Sequence, residues 1–132
     1  MNINNLTIKA QEVLQSAMNL ARSDRNQAVE PLHMLDAIVA EDDSVGVFLL
    51  QKLGVNVGAL RSVLRQQVER LPKVEGGEVY FSRESSEAIQ KAGDFTKTFG
   101  DKYASVEHLL LGILTERSEA SRLLKDAGAT EK

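Results

Sequence analysis

The segment EPLHMLDAI at residues 30–38 occurs a second time, as SVEHLLLGI at residues 105–113, and this repetition decides the fold. The same offset of 75 residues extends over most of the chain, and a shift to 74 continues it to Gly54 and Gly128. Because one copy alone could bury little apolar surface, we expect the two copies to pack against each other with approximate two-fold symmetry. The aligned pairs are Thr7 and Ser82, Glu12 and Glu87, Gln15 and Gln90, Ala17 and Ala92, His33 and His108, Leu35 and Leu110, Ile38 and Ile113, Glu41 and Glu116, Leu49 and Leu123, and Leu50 and Leu124.

Apolar residues recur at helical spacing in both copies, which predicts an all-α fold built as a duplicated four-helix repeat with pseudo-two-fold symmetry. Repeat one covers residues 1–71 and repeat two covers residues 82–132, and together they are expected to form a single domain of about eight helices over residues 1–132. We expect the eighth helix to begin at Thr130 and to be truncated here. Residues 72–81 break the helical period, and Gly76-Gly77 marks them as a flexible connector.

Capping residues predict where the helices begin. Thr7, Asn56, Ser82 and Ser105 can each accept a hydrogen bond from a first helical turn, and Pro31 suits a first helical position. Helix two is predicted to end near residue 41, and helix seven is predicted to cover residues 119–126.

The composition excludes several classes of protein. The 132 residues include no cysteine, which removes disulfides, thiolate catalysis and thiolate metal sites. A net charge of −3 offers no basic face for nucleic acid or for an anionic membrane surface. No phosphate-binding loop of the G-x-x-x-x-G-K-[ST] type occurs, so we expect no cofactor in this segment. Without a signal peptide or a run long enough to span a membrane, the expected location is the cytoplasm.

Glu30-x-x-His33 has the spacing of a carboxylate and a histidine in di-iron bundles. Pro31 fixes Glu30 at the helix entrance, however, and the second copy has Ser105 where another carboxylate would be needed. We therefore predict no metal site and interpret His33 and His108 as packing residues with a hydrogen-bonded ring nitrogen. Because no nucleophile stands beside a matching base and acid, we also predict no catalytic residue and no enzymatic activity of this segment.

Three segments carry a resemblance to a known family: EPLHML ending at Leu35, VEHLLLGIL ending at Leu114, and LPKVEGG at residues 71–77. With Thr7 and Ser82 opening the two copies, the chain resembles, over essentially its whole length, the N-terminal domains of the ClpB family, bacterial protein disaggregases of the AAA+ class. The connector favours this family over the related ClpA and ClpC. The alternative is therefore an adaptor- or regulator-docking N-terminal domain of a ClpA/ClpC-type protease unfoldase.

The resemblance implies a domain tethered to two ATPase modules, which hold ATP and Mg, in a homohexamer that cooperates with the DnaK chaperone system. It implies that the domain, monomeric when isolated, weakly binds hydrophobic segments of unfolded or aggregated polypeptides in an apolar groove and passes them to the motor. By the family pattern, the substrate-binding residues are Thr7, Ser82, Asp101 and Glu107, with Phe95 as a candidate groove residue.

Each of these residues also has a purely structural interpretation. Thr7 and Ser82 would stabilise their helices as caps by about 1 kcal/mol each. Asp101 aligns with Asn26, a loop residue that could simply fix a turn, and Phe95 aligns with Leu20, which fits a core position equally well. Glu107 suits the first turn of a helix, but its counterpart is Leu32, so the repeat does not require an acid there. An exposed charge near an apolar groove would suit basic, hydrophobic segments.

Overall fold

The computed structural model describes residues 5–100 and 102–129, with positions 98 and 99 described by their backbone alone. Seven α-helices and two very short strands form this part of the chain, which confirms the all-α fold class. The predicted start of an eighth helix at Thr130 lies outside the described residues. The helices are α1 (Ile8–Ser23), α2 (Pro31–Ile38), α3 (Val45–Lys52), α4 (Val57–Glu69), α5 (Arg83–Phe99), α6 (Val106–Thr115) and α7 (Glu119–Asp126), and the strands are β1 (Ala28–Val29) and β2 (Tyr80–Phe81).

Side-chain caps begin α1, α4 and α5 at the predicted positions, and Ser105 is the N-cap residue of α6. Thr7 Oγ1 accepts a hydrogen bond from the Ala10 N–H at 3.1 Å, and Ser82 Oγ accepts the equivalent bond from the Ser85 N–H at 3.1 Å. Asn56 caps α4 in the same way. Each cap satisfies a backbone donor that has no partner within its own helix, so the same local chemistry starts both copies.

Helix α2 ends at Ile38, so the prediction of an end near Glu41 is wrong. The Ile38 carbonyl accepts from Ser44 Oγ at 3.0 Å, and the Val39 carbonyl accepts from Arg61 Nε at 2.7 Å. Because side chains satisfy these carbonyls, the helix ends without leaving them unpaired.

Two strand-like contacts join the copies and are equivalent under the repeat. Val29 lies opposite Phe81 in a parallel pair, and Leu6 lies opposite Ala104 in a parallel bridge; the 75-residue offset converts one pair into the other. The Thr7 N–H donates to the Ala104 carbonyl at 2.8 Å, and the Ser82 N–H donates to the Val29 carbonyl at 3.0 Å. In each copy, the residue before the first helix thus pairs with the residues that precede the second helix of the other copy. This equivalence confirms the pseudo-two-fold arrangement.

The hydrophobic core is centred on α2 and α6, the two helices that carry the repeated segment. Leu35 and Ile38 of α2 and Leu109 and Ile113 of α6 are fully buried. Burying one such side chain contributes about 1.5–3 kcal/mol. Helices α1 and α5 pack against this pair through small residues, including Ala10, Ala17, Ala88 and Ala92.

The connector is tied to repeat one at both ends. The Val74 N–H donates to the Arg25 carbonyl at 2.8 Å, and the Tyr80 N–H donates to the Gln27 carbonyl at 3.0 Å. Between these bonds Gly76 and Gly77 have φ angles of 75° and 85°, a region that favours glycine. The connector therefore makes a turn at the glycine pair, and backbone hydrogen bonds on either side of the turn hold it against residues 25–27.

Across residues 5–100 and 102–129, no single helix has the length and apolar character needed to cross a membrane. Helices α3 and α4 meet that requirement only together, as a pair bent by 115°.

Candidate functional site

An open depression of about 350 Å³ lies between the start of α1, the loop from α2 to α3, and the first turn of α6. Because α6 belongs to repeat two, both copies contribute to this depression. Its apolar lining consists of Val13, Ala37, Ile38, Ala40, Val45 and Val106, and its charged lining consists of Lys9, Glu12, Glu41 and Asp43.

A second depression, of about 410 Å³, also lies beside the starts of α1 and α6. Thr7 lines the second depression and Lys9 lines the first, so Ile8 stands between the two linings in the sequence. Ser105 and Glu107 likewise line the second, whereas Val106 lines the first. We call the surface around the starts of α1, α3 and α6 the α1–α6 face; it comprises both depressions, Ile8, and Phe48, which lies one turn beyond Val45 on α3. The second depression is lined by Thr7, Lys102, Tyr103, Ser105, Glu107, His108 and Leu111.

Four large apolar side chains are exposed on the α1–α6 face. Their exposed fractions are 74% for Ile8, 51% for Val45, 56% for Phe48 and 46% for Tyr103. Apolar exposure concentrated on one surface of a small domain is typical of an interaction site. None of these four residues was among the sequence-based candidates.

The second copy shows that the fold does not require these apolar residues. Ile8 aligns with Arg83, and Tyr103 aligns with Ala28. Val45 and Phe48 of α3 align with Glu119 and Arg122 of α7, which form an ion pair at 3.0 Å. A comparison of solvent-facing positions between the two copies could have identified this face from the sequence.

The structure brings two of the five predicted site residues together. Thr7 and Glu107 both line the second depression. Thr7 also caps α1, and its N–H donates to Ala104, so it supports the fold as well as facing the depression. Glu107 is exposed and accepts a hydrogen bond from Ser105 Oγ. The functional assignment of both residues stays a prediction.

Two other predicted residues lie away from this face, and the fifth cannot be placed. Ser82 is buried at the symmetry-equivalent cap, where its Oγ accepts from Ser85. Phe95 is half-buried on α5 and lines neither depression. Asp101 lies outside the described residues.

Residues 5–127 match the family model of the Clp repeat (R) N-terminal domain. The chain belongs to this family. The whole chain is 50% identical over 132 residues to the chaperone protein ClpB of Bacteroides thetaiotaomicron, of which it spans 15% of the length. This confirms the resemblance to the N-terminal region of ClpB.

Solved Clp N-domains share the fold. The Hsp104 N-terminal domain from Candida albicans superposes with a TM-score of 0.84 at 21% identity, over 96% of this chain and 84% of that one. A ClpV N-domain in complex with a VipB peptide superposes with a TM-score of 0.77 at 19% identity, over 96% and 81% of the two chains. At these identities the likeness shows the fold alone.

The histidines of this Clp N-terminal domain serve the fold, as predicted. His33 is fully buried; its Nδ1 accepts from the Glu30 N–H at 2.9 Å, and its Nε2 lies 2.9 Å from Asn26 Oδ1. The equivalent His108 Nδ1 accepts from the Ser105 N–H at 3.0 Å. Since an amide oxygen only accepts, His33 carries its proton on Nε2 and is neutral. Within the described ranges, no group of three or more His, Cys, Asp or Glu side chains is arranged to hold a metal ion.

Burial lowers the pKa of His33 from 6.5 to about 4, against the opposing attraction of Asp24. The unfolded chain therefore binds a proton below pH 6.5 that the folded domain does not bind until about pH 4. This contribution to stability is complete above pH 6.5 and is lost as the pH falls toward 4. We expect the free energy of unfolding to fall by about 2 kcal/mol between about pH 7.5 and about pH 5.

Urea unfolding across this pH range checks the expectation, with His33→Gln as the comparison. The difference in unfolding free energy between the two proteins should change with pH only below about 6.5. If His33→Gln does not fold, the ¹⁵N shifts of the imidazole in the unmodified protein provide the test. A ring already protonated at about pH 5.5 would contradict the expectation.

Proposed function

We propose that this domain holds apolar segments of unfolded or aggregated polypeptides on the α1–α6 face and delivers them to the ATP-driven motor of a ClpB-type disaggregase. The observation that carries the proposal is the exposure of Ile8, Val45, Phe48 and Tyr103 around the starts of α1, α3 and α6, whereas the symmetry-equivalent positions hold Arg83, Glu119, Arg122 and Ala28. Because the fold accommodates charged or small residues at these positions, folding does not require the apolar side chains on this face. Binding of an apolar ligand explains their presence.

The shape of the face suits weak, sequence-tolerant binding. The depressions are open to solvent, which allows side chains of different sizes to enter, and both flank the first turns of α1 and α6. An unfolded ligand loses conformational freedom when it binds, which offsets most of the gain from apolar burial. Weak binding suits a tethered domain, since tethering raises the local concentration of a segment that the motor must later remove.

The comparisons support the proposal at the level of the fold. The ClpV N-domain that shares this architecture forms a complex with a VipB peptide, so an N-domain of this shape is compatible with peptide binding. The match to ClpB over the whole chain supports a chaperone as the parent protein. The proposal includes four properties of that parent protein: two ATPase modules with ATP and Mg, homohexameric assembly, cooperation with DnaK and a cytoplasmic location. It also includes the absence of catalysis in the domain itself.

An NMR titration with a permanently unfolded polypeptide, such as reduced and carboxymethylated α-lactalbumin, tests the proposal. We expect amide shifts to change around Ile8, Val45 and Tyr103 and to stay constant around Arg83 and Glu119, the matched positions of the other copy. Saturation should require a high concentration of ligand, with Kd above about 10 μM, because the ordering cost is large.

Two outcomes would overturn the proposal. The first is a spectrum that does not respond to unfolded chains, and the second is a response around Arg83 and Glu119 equal to that around Ile8 and Val45. A tight stoichiometric complex with one folded partner, together with no response to unfolded chains, would instead support the adaptor-docking alternative.

A further inference from the structure

The loop from α2 to α3 differs between the two copies in both length and charge. In repeat one, Glu41, Asp42 and Asp43 precede the Ser44 cap; in repeat two, only Glu116 and Arg117 precede the Ser118 cap. The one-residue change of register between the copies therefore falls at this loop. Relative to its twin, repeat one has an extra residue and two additional acids beside the first depression.

Side-chain hydrogen bonds and one ion pair fix the position of this loop. Ser44 Oγ donates to the Ile38 carbonyl at 3.0 Å and accepts from the Val47 N–H at 3.1 Å. Arg61 on α4 donates from Nε to the Val39 carbonyl at 2.7 Å and pairs through Nη1 with Asp42 at 2.8 Å. Asp42 is thus used to anchor the loop, which leaves Glu41 and Asp43 to line the depression.

Glu41 and Asp43 give the apolar depression a negative edge. Both are exposed, and neither has an ion-pair partner within residues 5–100 and 102–129. The cation on the same rim, Lys9, is paired with Glu12 at 3.6 Å. On the second depression Glu107 is an exposed carboxylate, but Lys102, whose Nζ lies 5.8 Å from the centre of the Tyr103 ring, is an exposed cation. The excess of negative charge is therefore confined to the loop beside the first depression.

The twin loop does not present the same charge. Glu116, the counterpart of Glu41, is buried and lies 3.7 Å from Lys91, and the neighbouring Arg117 has the opposite sign to Asp43. The two acids without an ion-pair partner, Glu41 and Asp43, therefore lie on the α1–α6 face, beside the depression that Val45 lines.

We infer that the α1–α6 face selects polypeptide segments in which apolar residues are flanked by lysine or arginine. This inference rests on the proposed function and specifies its substrate class. The apolar side chains of the segment occupy the depressions, and its cations lie over Glu41 and Asp43, where two exposed ion pairs form. Segments flanked by acids meet like charge at the same edge and bind more weakly.

The test compares three short peptides with one apolar centre and with lysine, glutamine or glutamate flanks, by fluorescence anisotropy with the full chain. At about 20 mM salt we expect the lysine-flanked peptide to bind about fivefold more tightly than the glutamine-flanked one. The ratio should fall toward one at about 300 mM salt, because exposed charges are screened.

The double variant Glu41→Gln, Asp43→Asn should remove the preference, so that the lysine-flanked peptide binds no more tightly than the glutamine-flanked one. Its matched control is Glu69→Gln, Glu78→Gln, which changes two exposed acids away from this face by the same net charge and should keep the preference. Preference for lysine that persists in the loop variant, or that is lost equally in the control, overturns the inference. Equal binding of all three peptides also overturns it while leaving the proposed function intact; failure of the glutamine-flanked peptide to bind would count against the proposed function itself.

Discussion

Replacing Gly112 with alanine is expected to lower the free energy of unfolding by about 3 kcal/mol, because the packing of α5 on α6 leaves no room for a side chain there. A Cβ at this position would overlap the backbone carbonyl oxygen of Ala88. A backbone group cannot rotate away as the end of a flexible side chain can. The two helices would have to separate, and the buried residues around Ile113 would lose contacts.

Chemical denaturation of the Gly112→Ala and Gly93→Ala variants measures this effect. Gly93 lies in α5, and a Cβ there would meet nothing within 4 Å. Gly93→Ala should therefore stabilise the domain by about 0.5–1 kcal/mol, through the higher helix propensity of alanine. Equal effects of the two substitutions would contradict the close packing of α5 and α6. If Gly112→Ala does not fold at all, Gly112→Ser should also fail while Gly93→Ser folds.

Transplanting residues from one copy to the other is expected to abolish binding without disturbing the fold. The triple variant Ile8→Arg, Val45→Glu, Phe48→Arg places the residues of the second copy onto the α1–α6 face. It should weaken binding of a glutamine-flanked apolar peptide by at least about 30-fold, equivalent to about 2 kcal/mol. The new pair at positions 45 and 48 repeats the spacing of Glu119 and Arg122 on α7, so the variant should remain folded.

Tyr80→Asn is the matched control for this transplant. Tyr80 is also an exposed aromatic residue, it lies on β2 away from both depressions, and its counterpart in the first copy is Asn5. Peptide titrations and thermal unfolding of both variants distinguish loss of the binding face from loss of the fold. Peptide affinity retained in the triple variant, with unfolding unchanged, would show that the α1–α6 face is not the binding surface.

Much of the architecture was predictable because it rests on local chemistry. The caps at Thr7, Asn56 and Ser82 depend on a side-chain oxygen three residues before a backbone donor, and that relation is visible in the sequence. The role of His33 and His108 was also predictable, since each follows its cap by the same three residues. The end of α2 was not predictable, because the carbonyls of Ile38 and Val39 accept hydrogen bonds from the side chains of Ser44 and of Arg61 on α4.

The candidate site was less accessible to sequence reasoning. Thr7 and Glu107 meet in one depression only because the bridge between Leu6 and Ala104 brings the two copies together. Ser82 has the same local role as Thr7, yet it is buried at the equivalent position. The exposure of Phe48 and Val45 also escaped detection, since α3 is apolar on several sides and periodicity did not show which side faces the core.

Amino-acid pattern alone was sufficient for the duplication, the helical class, the caps and the membership of the Clp N-terminal domain family, because each depends on residues close together in the chain or on a repeated spacing. Three-dimensional packing alone decided how the starts of α1, α3 and α6 come together in one face, which acids remain without an ion-pair partner, and where a glycine is required. Those properties depend on which side chains from distant segments come into contact.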